Sequence, residues 1–141
     1  MTKRPSTLTQ QVDVFKALGH PVRLRILAML RSGELCACQI TAVLKLAAST
    51  VSAHLSELRR AGVLVERKEG RWVIFRHTDD ERTQTMIAHI LAGLEGDLRI
   101  DADARIVKHL RRISVEALCR ADLDLSRVGI KEPPVAVSQR A

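Results

Sequence analysis

Aromatic residues are nearly absent from this chain of 141 residues, which contains two Phe, one Trp and no Tyr. Its apolar residues are mainly Leu, Ile, Val and Ala, which suit packed helices better than a large sheet. No apolar run approaches the roughly 20 residues that span a bilayer, and the basic N-terminus lacks the apolar stretch of a signal peptide. We therefore expect one helical domain in the cytoplasm, without a membrane partner.

Cysteine is scarce as well: the chain has three, Cys36, Cys38 and Cys119. An odd and small number does not make a disulfide framework, so we expect reduced thiols. Cys36 and Cys38 form a C-x-C pair, without the C-x-x-C spacing or the βαβ pattern of thioredoxin-like enzymes. The sequence also lacks a Ser/His/Asp set, a phosphate-binding Gly loop and paired carboxylates. We expect no enzyme, and a thiol-disulfide enzyme is the alternative from another class.

Positive charge is concentrated in one part of the chain. Residues 1–78 hold 13 Lys and Arg against 5 Asp and Glu, whereas residues 79–141 hold 10 against 11. A basic excess confined to one part favours a polyanionic partner for that part, although a solvated basic surface would have the same composition.

Apolar periodicity predicts short helices through the first half of the chain. The stretch Leu8–Leu18 is predicted as a helix with Val12, Phe15 and Leu18 inward. A second helix follows Pro21, and a third runs from Cys36 to Leu44. After a short connection, residues 47–61 form a fourth helix, which leaves small polar residues outward. Two short helices joined tightly in this way are typical of a helix-turn-helix.

A basic hairpin is predicted directly after this pair of helices. Residues 63–65 and 72–76 alternate as strands do, and Gly70 lies at the tip between them. Such a hairpin, called a wing here, reaches for DNA phosphates or a minor groove. The candidate DNA-contacting residues on the fourth helix and the wing are Ser49, Thr50, Ser52, Ala53, His54, Lys68 and Arg71.

The C-terminal third is predicted to be helical before it loses periodicity. A helix begins near Asp79, and a final one runs from Ala104 to about Leu118. We therefore divide the chain into residues 1–100, the DNA-binding domain with its N-terminal helix; residues 101–120, a C-terminal helix for dimerisation or packing; and residues 121–141, a flexible tail.

The segments VFKALGHPVRLRIL, GELCACQI, STVSAHLSELRRAGVL and ERKEGRWVIFRH carry a family resemblance. Together they resemble the arsenite-responsive branch of the ArsR/SmtB winged-helix repressors, over residues 14–77. The resemblance implies a dimeric, mainly α winged helix-turn-helix with a small β-hairpin wing. It implies a homodimer on double-stranded DNA at a palindromic operator, which it leaves when a metalloid or metal ion binds.

The metalloid site of the family carries over in part. The family pattern ELCVCDLC holds three cysteines, and this chain has ELCACQIT, with Thr41 in the third position. Arsenite or antimonite is the expected inducer, with no permanent cofactor, because soft ions prefer thiolates to hydroxyls. Cys36 and Cys38 are the expected ligands. Cys119 competes with water or an external thiol for the third position, and binding by two thiolates alone is a further alternative.

The helical spacing of the pair sets a geometric condition. Residues i and i+2 of an ideal helix point to nearly opposite sides, so both sulfurs reach one ion only if this turn is unwound or distorts on binding. A change in the first turn of the third helix would displace the fourth helix, which is predicted to contact DNA. This displacement is one route to release of DNA. Two buried structural thiols, or a redox-sensing repressor on the same fold, are the remaining alternatives.

Overall fold

The computed structural model describes residues 6–132. Its fold is helical with one small antiparallel sheet, as the sequence predicts. The helices are α1 (Leu8–Leu18), α2 (Pro21–Met29), α3 (Ala37–Leu44), α4 (Ala48–Arg60), α5 (Glu81–Ala92), α6 (Leu98–Leu110) and α7 (Val115–Arg120), with short 3-10 turns at Leu30–Ser32 and Leu125–Val128. The strands are β1 (Leu35–Cys36), β2 (Leu64–Glu69) and β3 (Trp72–His77).

The strand β1 is an element that the sequence analysis did not predict. It pairs antiparallel with β3, so the sheet order is β1-β3-β2, with Leu35 opposite Phe75 and Cys36 opposite Ile74. The prediction of a helix beginning at Cys36 is therefore wrong by one residue: Cys36 is extended and caps α3, which begins at Ala37. Periodicity did not indicate this strand because two residues are too few to show alternation.

The inward face of α1 also differs from the prediction. Val14, Ala17 and Leu18 are the buried residues of this helix, whereas Val12 is 40% exposed and Phe15 is 64% exposed. Apolar residues occur on two sides of α1, and the sequence does not tell which side meets the core. The predicted burial of Val12 and Phe15 is wrong, and that of Leu18 is confirmed.

The predicted final helix is two helices with a break between them. Helix α6 ends at Leu110, and Ser114 caps the start of α7 by accepting a hydrogen bond from the Ala117 amide. Beyond α7, Leu125 and Ile130 are buried, so residues 121–132 pack against the domain where a flexible tail was expected. The remaining residues of that tail, 133–141, lie outside the described part of the chain.

The C-terminal helices pack onto the helix-turn-helix of their own chain. Helix α6 contacts α2 and α3, and α7 contacts α3. A buried ion pair fixes the first of these contacts, because Arg25 donates to both oxygens of Asp103 at 2.8 and 3.0 Å. Within residues 6–132, no helix combines the length and the apolar character needed to cross a membrane.

Candidate DNA interface and thiol site

Helix α4 turns its apolar side inward and its small polar side outward. Val51, Leu55 and Leu58 are buried at spacings of four and three residues, which anchors the helix on the core. The outward side carries four of the candidate DNA-contacting residues, all of them exposed: Ser49, Thr50, Ser52 and Ala53. Small polar side chains in this position let the helix backbone approach a groove closely.

The fifth candidate on α4, His54, is only half exposed. Its ring lies 4.5 Å from that of His20, measured between centroids. His20 caps α2 by accepting a hydrogen bond from the Val22 amide at 3.1 Å. Burial, together with the nearby His20 and Arg23, lowers the pKa of His54. The neutral imidazole therefore packs against the start of α2 and retains one N–H that can donate.

The wing is a tight hairpin with an exposed basic tip. Gly70 adopts a φ of 60° between β2 and β3, a left-handed conformation that favours glycine. Lys68 and Arg71 are both exposed, and the guanidinium of Arg71 lies 4.6 Å from the centre of the Trp72 ring. The candidate wing residues are thus on the surface beside the tip.

Arg67 on the wing has a different environment, which the sequence analysis did not predict. Its guanidinium contacts the carboxylate of Glu34 at 2.6 and 3.3 Å and that of Glu69 at 3.3 Å. This pairing holds the pKa of Glu34 below its usual value. Glu34 lies two residues before Cys36, so the ion pair joins the wing to the segment that leads into the thiol pair.

Cys36 and Cys38 are in direct contact. Cys36, extended at φ −70° and ψ 147°, ends β1 and caps α3, and Cys38 lies in the first turn of the helix. The Cys38 thiol donates to the Cys36 sulfur across 2.8 Å. The sequence analysis required this turn to be unwound or to distort on binding, and the first alternative applies, because Cys36 is extended and precedes the helix.

The two thiols of the pair differ in acidity. The hydrogen bond from Cys38, supported by backbone amides, lowers the pKa of Cys36 to about 7 against the opposing effect of burial. The same hydrogen bond, together with burial, raises the pKa of Cys38 above its usual value. Cys36 is thus the more readily ionised thiol of the pair.

Cys119 reaches the same place from the other end of the chain. It lies on α7, which contacts α3, and the residue is exposed. Cys119 adds to the effects of Cys36 and of burial that raise the pKa of the Cys38 thiol. The packing of α7 on α3 therefore brings Cys119 toward the pair, although no three His, Cys, Asp or Glu side chains among residues 6–132 are already arranged around a metal position.

Thr41, which replaces the third cysteine of the family pattern, is not available to a ligand. Its side chain is buried, and its hydroxyl donates to the Ala37 carbonyl one turn earlier at 2.8 Å. A hydroxyl engaged in this way, and hard by nature, does not serve a soft ion.

Comparison with known proteins places this architecture in a family. The profile described as "Bacterial regulatory protein, arsR family" matches residues 20–66. The arsenic resistance transcriptional regulator ArsR1 of Pseudomonas putida is 45% identical over 64 residues, which are 45% of this chain and 50% of that protein. The chain thus spans about half the length of that relative.

Two further comparisons cover most of the matched protein. An uncharacterized HTH-type transcriptional regulator of Methanocaldococcus jannaschii is 44% identical over 69 residues, which are 48% of this chain and 78% of that protein. The homodimeric winged helix-turn-helix DNA-binding domain Mb0332 from Mycobacterium bovis superposes with a TM-score of 0.57 at 30% identity, over 62% of this chain and 81% of that domain. The chain belongs to the ArsR family of bacterial regulatory proteins, whose matched members are named as transcriptional regulators and not as enzymes.

Proposed function

We propose that this protein is a homodimeric transcriptional repressor in the cytoplasm. It binds double-stranded DNA at a palindromic operator and releases it when arsenite or antimonite binds Cys36, Cys38 and Cys119. The observation that carries the proposal is the direct contact between the Cys36 and Cys38 sulfurs at the start of α3. Helix α7, which carries Cys119, packs against α3 and supports the inclusion of the third thiol. The arsenic-resistance name of the Pseudomonas relative supports the choice of inducer.

The DNA side of the proposal depends on α4 and the wing. Ser49, Thr50, Ser52 and Ala53 would enter the major groove, and His54 would donate from its half-exposed ring. Lys68 and Arg71 would contact phosphates, which position the protein without reading sequence. In a symmetric dimer the two α4 helices would meet successive major grooves roughly 34 Å apart.

The thiol side of the proposal is a ligand exchange. Arsenite, As(OH)₃, would exchange its three hydroxyl groups for three sulfurs. Cys38 and Cys119 would each give a proton to a departing hydroxide, so two waters leave. The Cys36 thiolate brings no proton, so the third hydroxide leaves as such or takes a proton from solvent. Attack by Cys36 would begin the exchange, because the thiolate is the nucleophile.

Ligand binding would move the elements that carry these sulfurs. Cys36 lies in β1, whose backbone pairs with β3 of the wing, and Cys38 lies on α3, which packs against α4. Drawing three sulfurs onto one arsenic atom therefore pulls on the wing and on the support of the recognition helix together. This movement is the proposed cause of DNA release.

The dimer contact is proposed on the outer side of α1. Leu8, Val12 and Phe15 follow one another at spacings of four and three residues, and they are 82%, 40% and 64% exposed. A solvent-facing apolar row on a helix of a small domain indicates a partner surface. A second copy of this chain is the proposed occupant, which the homodimeric Mycobacterium domain supports.

A redox-sensing repressor is the second candidate, favoured by the contact between the two sulfurs of unequal acidity. A peroxide would oxidise the Cys36 thiolate to a sulfenic acid, R–S–OH, and would itself be reduced to an alcohol or water. The Cys38 thiol would then attack the Cys36 sulfur, forming a disulfide as water leaves. This route needs no metalloid. The arsenite-responsive and the redox-sensing repressor are therefore distinguished by whether arsenite or peroxide releases DNA.

The acidity of Cys36 is the first prediction. Replacing Cys38 with Ala in a Cys119→Ser background removes the hydrogen bond that lowers the pKa of Cys36, so we expect this pKa to rise from about 7 toward its usual value. The ultraviolet absorbance of the thiolate, followed against pH, measures it. In the Cys119→Ser protein alone, the titration midpoint of Cys36 should stay at about 7, because Cys119 is not among the groups that lower this pKa. Equal midpoints in the two proteins would contradict the assignment.

The inducer is the second prediction. We expect sodium arsenite to release the reduced wild-type protein from fluorescently labelled promoter DNA, measured by anisotropy. Cys36→Ser and Cys38→Ser should abolish release, because each breaks the pair of contacting sulfurs. Cys119→Ser should require a higher arsenite concentration, because that pair remains.

Thr41→Val is the matched control for the inducer prediction. Its hydroxyl is already engaged within α3, so release should persist. If peroxide but not arsenite releases the wild type, the redox candidate replaces the first. If neither reagent releases a protein that binds DNA, both are wrong.

The phosphate contact of the wing is the third prediction. Lys68→Gln should weaken binding to all DNA sequences alike and lower the slope of log K against log salt concentration by roughly one for each subunit. Lys108→Gln, an exposed Lys on α6, controls for the change in net charge and should leave the slope unaltered. Equal slopes for Lys68→Gln and wild type would remove Lys68 from the interface.

The dimer contact is the fourth prediction. Phe15→Glu places a charge within the apolar row of α1, so we expect a shift from dimer to monomer in sedimentation velocity and weaker DNA binding. Thr9→Glu, which adds the same charge on another side of α1, should remain dimeric. A dimeric Phe15→Glu protein would show that the second copy docks elsewhere.

A further inference from the structure

The segment that leads into Cys36 is held by one arginine from the far end of the chain. Arg111, at the C-cap of α6, donates to three acceptors of residues 32–34. Its Nη1 lies 3.0 Å from the Glu34 carbonyl oxygen, and its Nη2 lies 3.0 Å from both the Ser32 hydroxyl and the Gly33 carbonyl oxygen. All three bonds come from one rigid, planar guanidinium, which fixes direction as well as distance.

The backbone of this segment is shaped for the contact. Gly33 has a φ of 128°, a conformation that L side chains rarely adopt, and a Cβ added there would lie 3.6 Å from Arg111 Nη2. On its other side the segment is bound to the wing through Glu34 and Arg67. Residues 32–34 are therefore held between α6 and the wing immediately before the first thiol.

The position of Arg111 relates it to the third thiol. It follows the last residue of α6, and α6 is anchored on α2 by the buried pair of Arg25 and Asp103. Four residues after Arg111, α7 begins, and it carries Cys119. Arg111 thus joins the two places where the chain turns toward the thiols: the approach to Cys36 and the corner between α6 and α7.

We infer that Arg111 is a positioning residue of the thiol site, which holds the start of α7, and with it Cys119, near the segment that leads into the Cys36–Cys38 pair. This inference rests on the proposed function, in which all three sulfurs bind one metalloid. Without the contact, the corner before α7 is free to shift relative to β1, and Cys119 is then less available to the metalloid that the pair binds. Positioning groups behind metal ligands commonly change affinity by roughly 10- to 100-fold.

The test measures arsenite affinity in purified, reduced full-length protein through the sulfur-to-arsenic charge-transfer absorbance. Arg111→Gln should weaken binding roughly tenfold. Ser32→Ala, which removes one acceptor, should weaken it less. Arg112→Gln, which removes the neighbouring exposed arginine and the same charge, should have no effect. Each variant is also made in a Cys119→Ser background, where Arg111→Gln should cause no further loss.

The comparison of Arg111→Gln with and without Cys119 distinguishes a positioning role of Arg111 from a general effect on protein stability. If Arg111→Gln weakens arsenite binding equally with and without Cys119, or not at all, Arg111 does not position the third thiol and the inference is wrong. A parallel urea unfolding curve identifies a variant that merely unfolds, and Ser32→Ala then decides by the same comparison of backgrounds.

Failure of the proposed function gives a different result. A wild-type protein that develops no charge-transfer absorbance with arsenite contradicts the metalloid site itself. A Cys119→Ser protein that binds as tightly as wild type removes Cys119 from the site, and the positioning role falls with it.

Discussion

The backbone pairing of β1 with β3 is the constraint on which the thiol site depends. It holds Cys36 in an extended conformation, opposite Ile74, so that α3 starts one residue later. Were Cys36 helical, the turn of about 100° per residue would direct its sulfur nearly opposite to that of Cys38. Because it caps the helix instead, the two sulfurs meet at 2.8 Å. The hydrogen bond between them lowers the pKa of Cys36 and raises that of Cys38, and the proposed attack by Cys36 follows from this difference.

The local pattern of apolar and turn residues was sufficient to predict the helix-turn-helix and the wing. It was insufficient to predict the elements that surround them. Helix α4 and the wing show strong periodicity and clear turn residues, so their existence followed from the sequence. The inward side of α1 did not, because Phe15 is apolar whether it meets the core or a second copy. The break between α6 and α7 was missed because apolar spacing continues through it, although Ser114 is a cap residue that signals a new start.

The approach of Cys119 to the Cys36–Cys38 pair illustrates a second limit of sequence reasoning. Cys119 is exposed on α7. Cys38, however, lies 81 positions earlier in the sequence, and the packing of α6 on α2 and of α7 on α3 brings these parts of the chain together. That packing is fixed by Arg25 with Asp103 and by Arg111 with residues 32–34. Nothing in the local sequence around Arg25 or Arg111 indicates that either side chain makes these long-range contacts.

The incomplete arrangement of the three thiols is the physical basis of the proposed switch. A ligand changes the balance between two conformations only by binding one of them more tightly. Three sulfurs already arranged around a vacant centre would bind arsenic without moving anything, and DNA affinity would be unaffected. Here two sulfurs are in contact and Cys119 lies on a separate helix, with no ready ligand set among residues 6–132. In the proposed switch, arsenic binding would therefore move α7, β1 or α3, and β1 is hydrogen-bonded to β3 of the wing. The arsenic-bound conformation would then differ from the unbound one, and the energy of the third arsenic–sulfur bond would favour it.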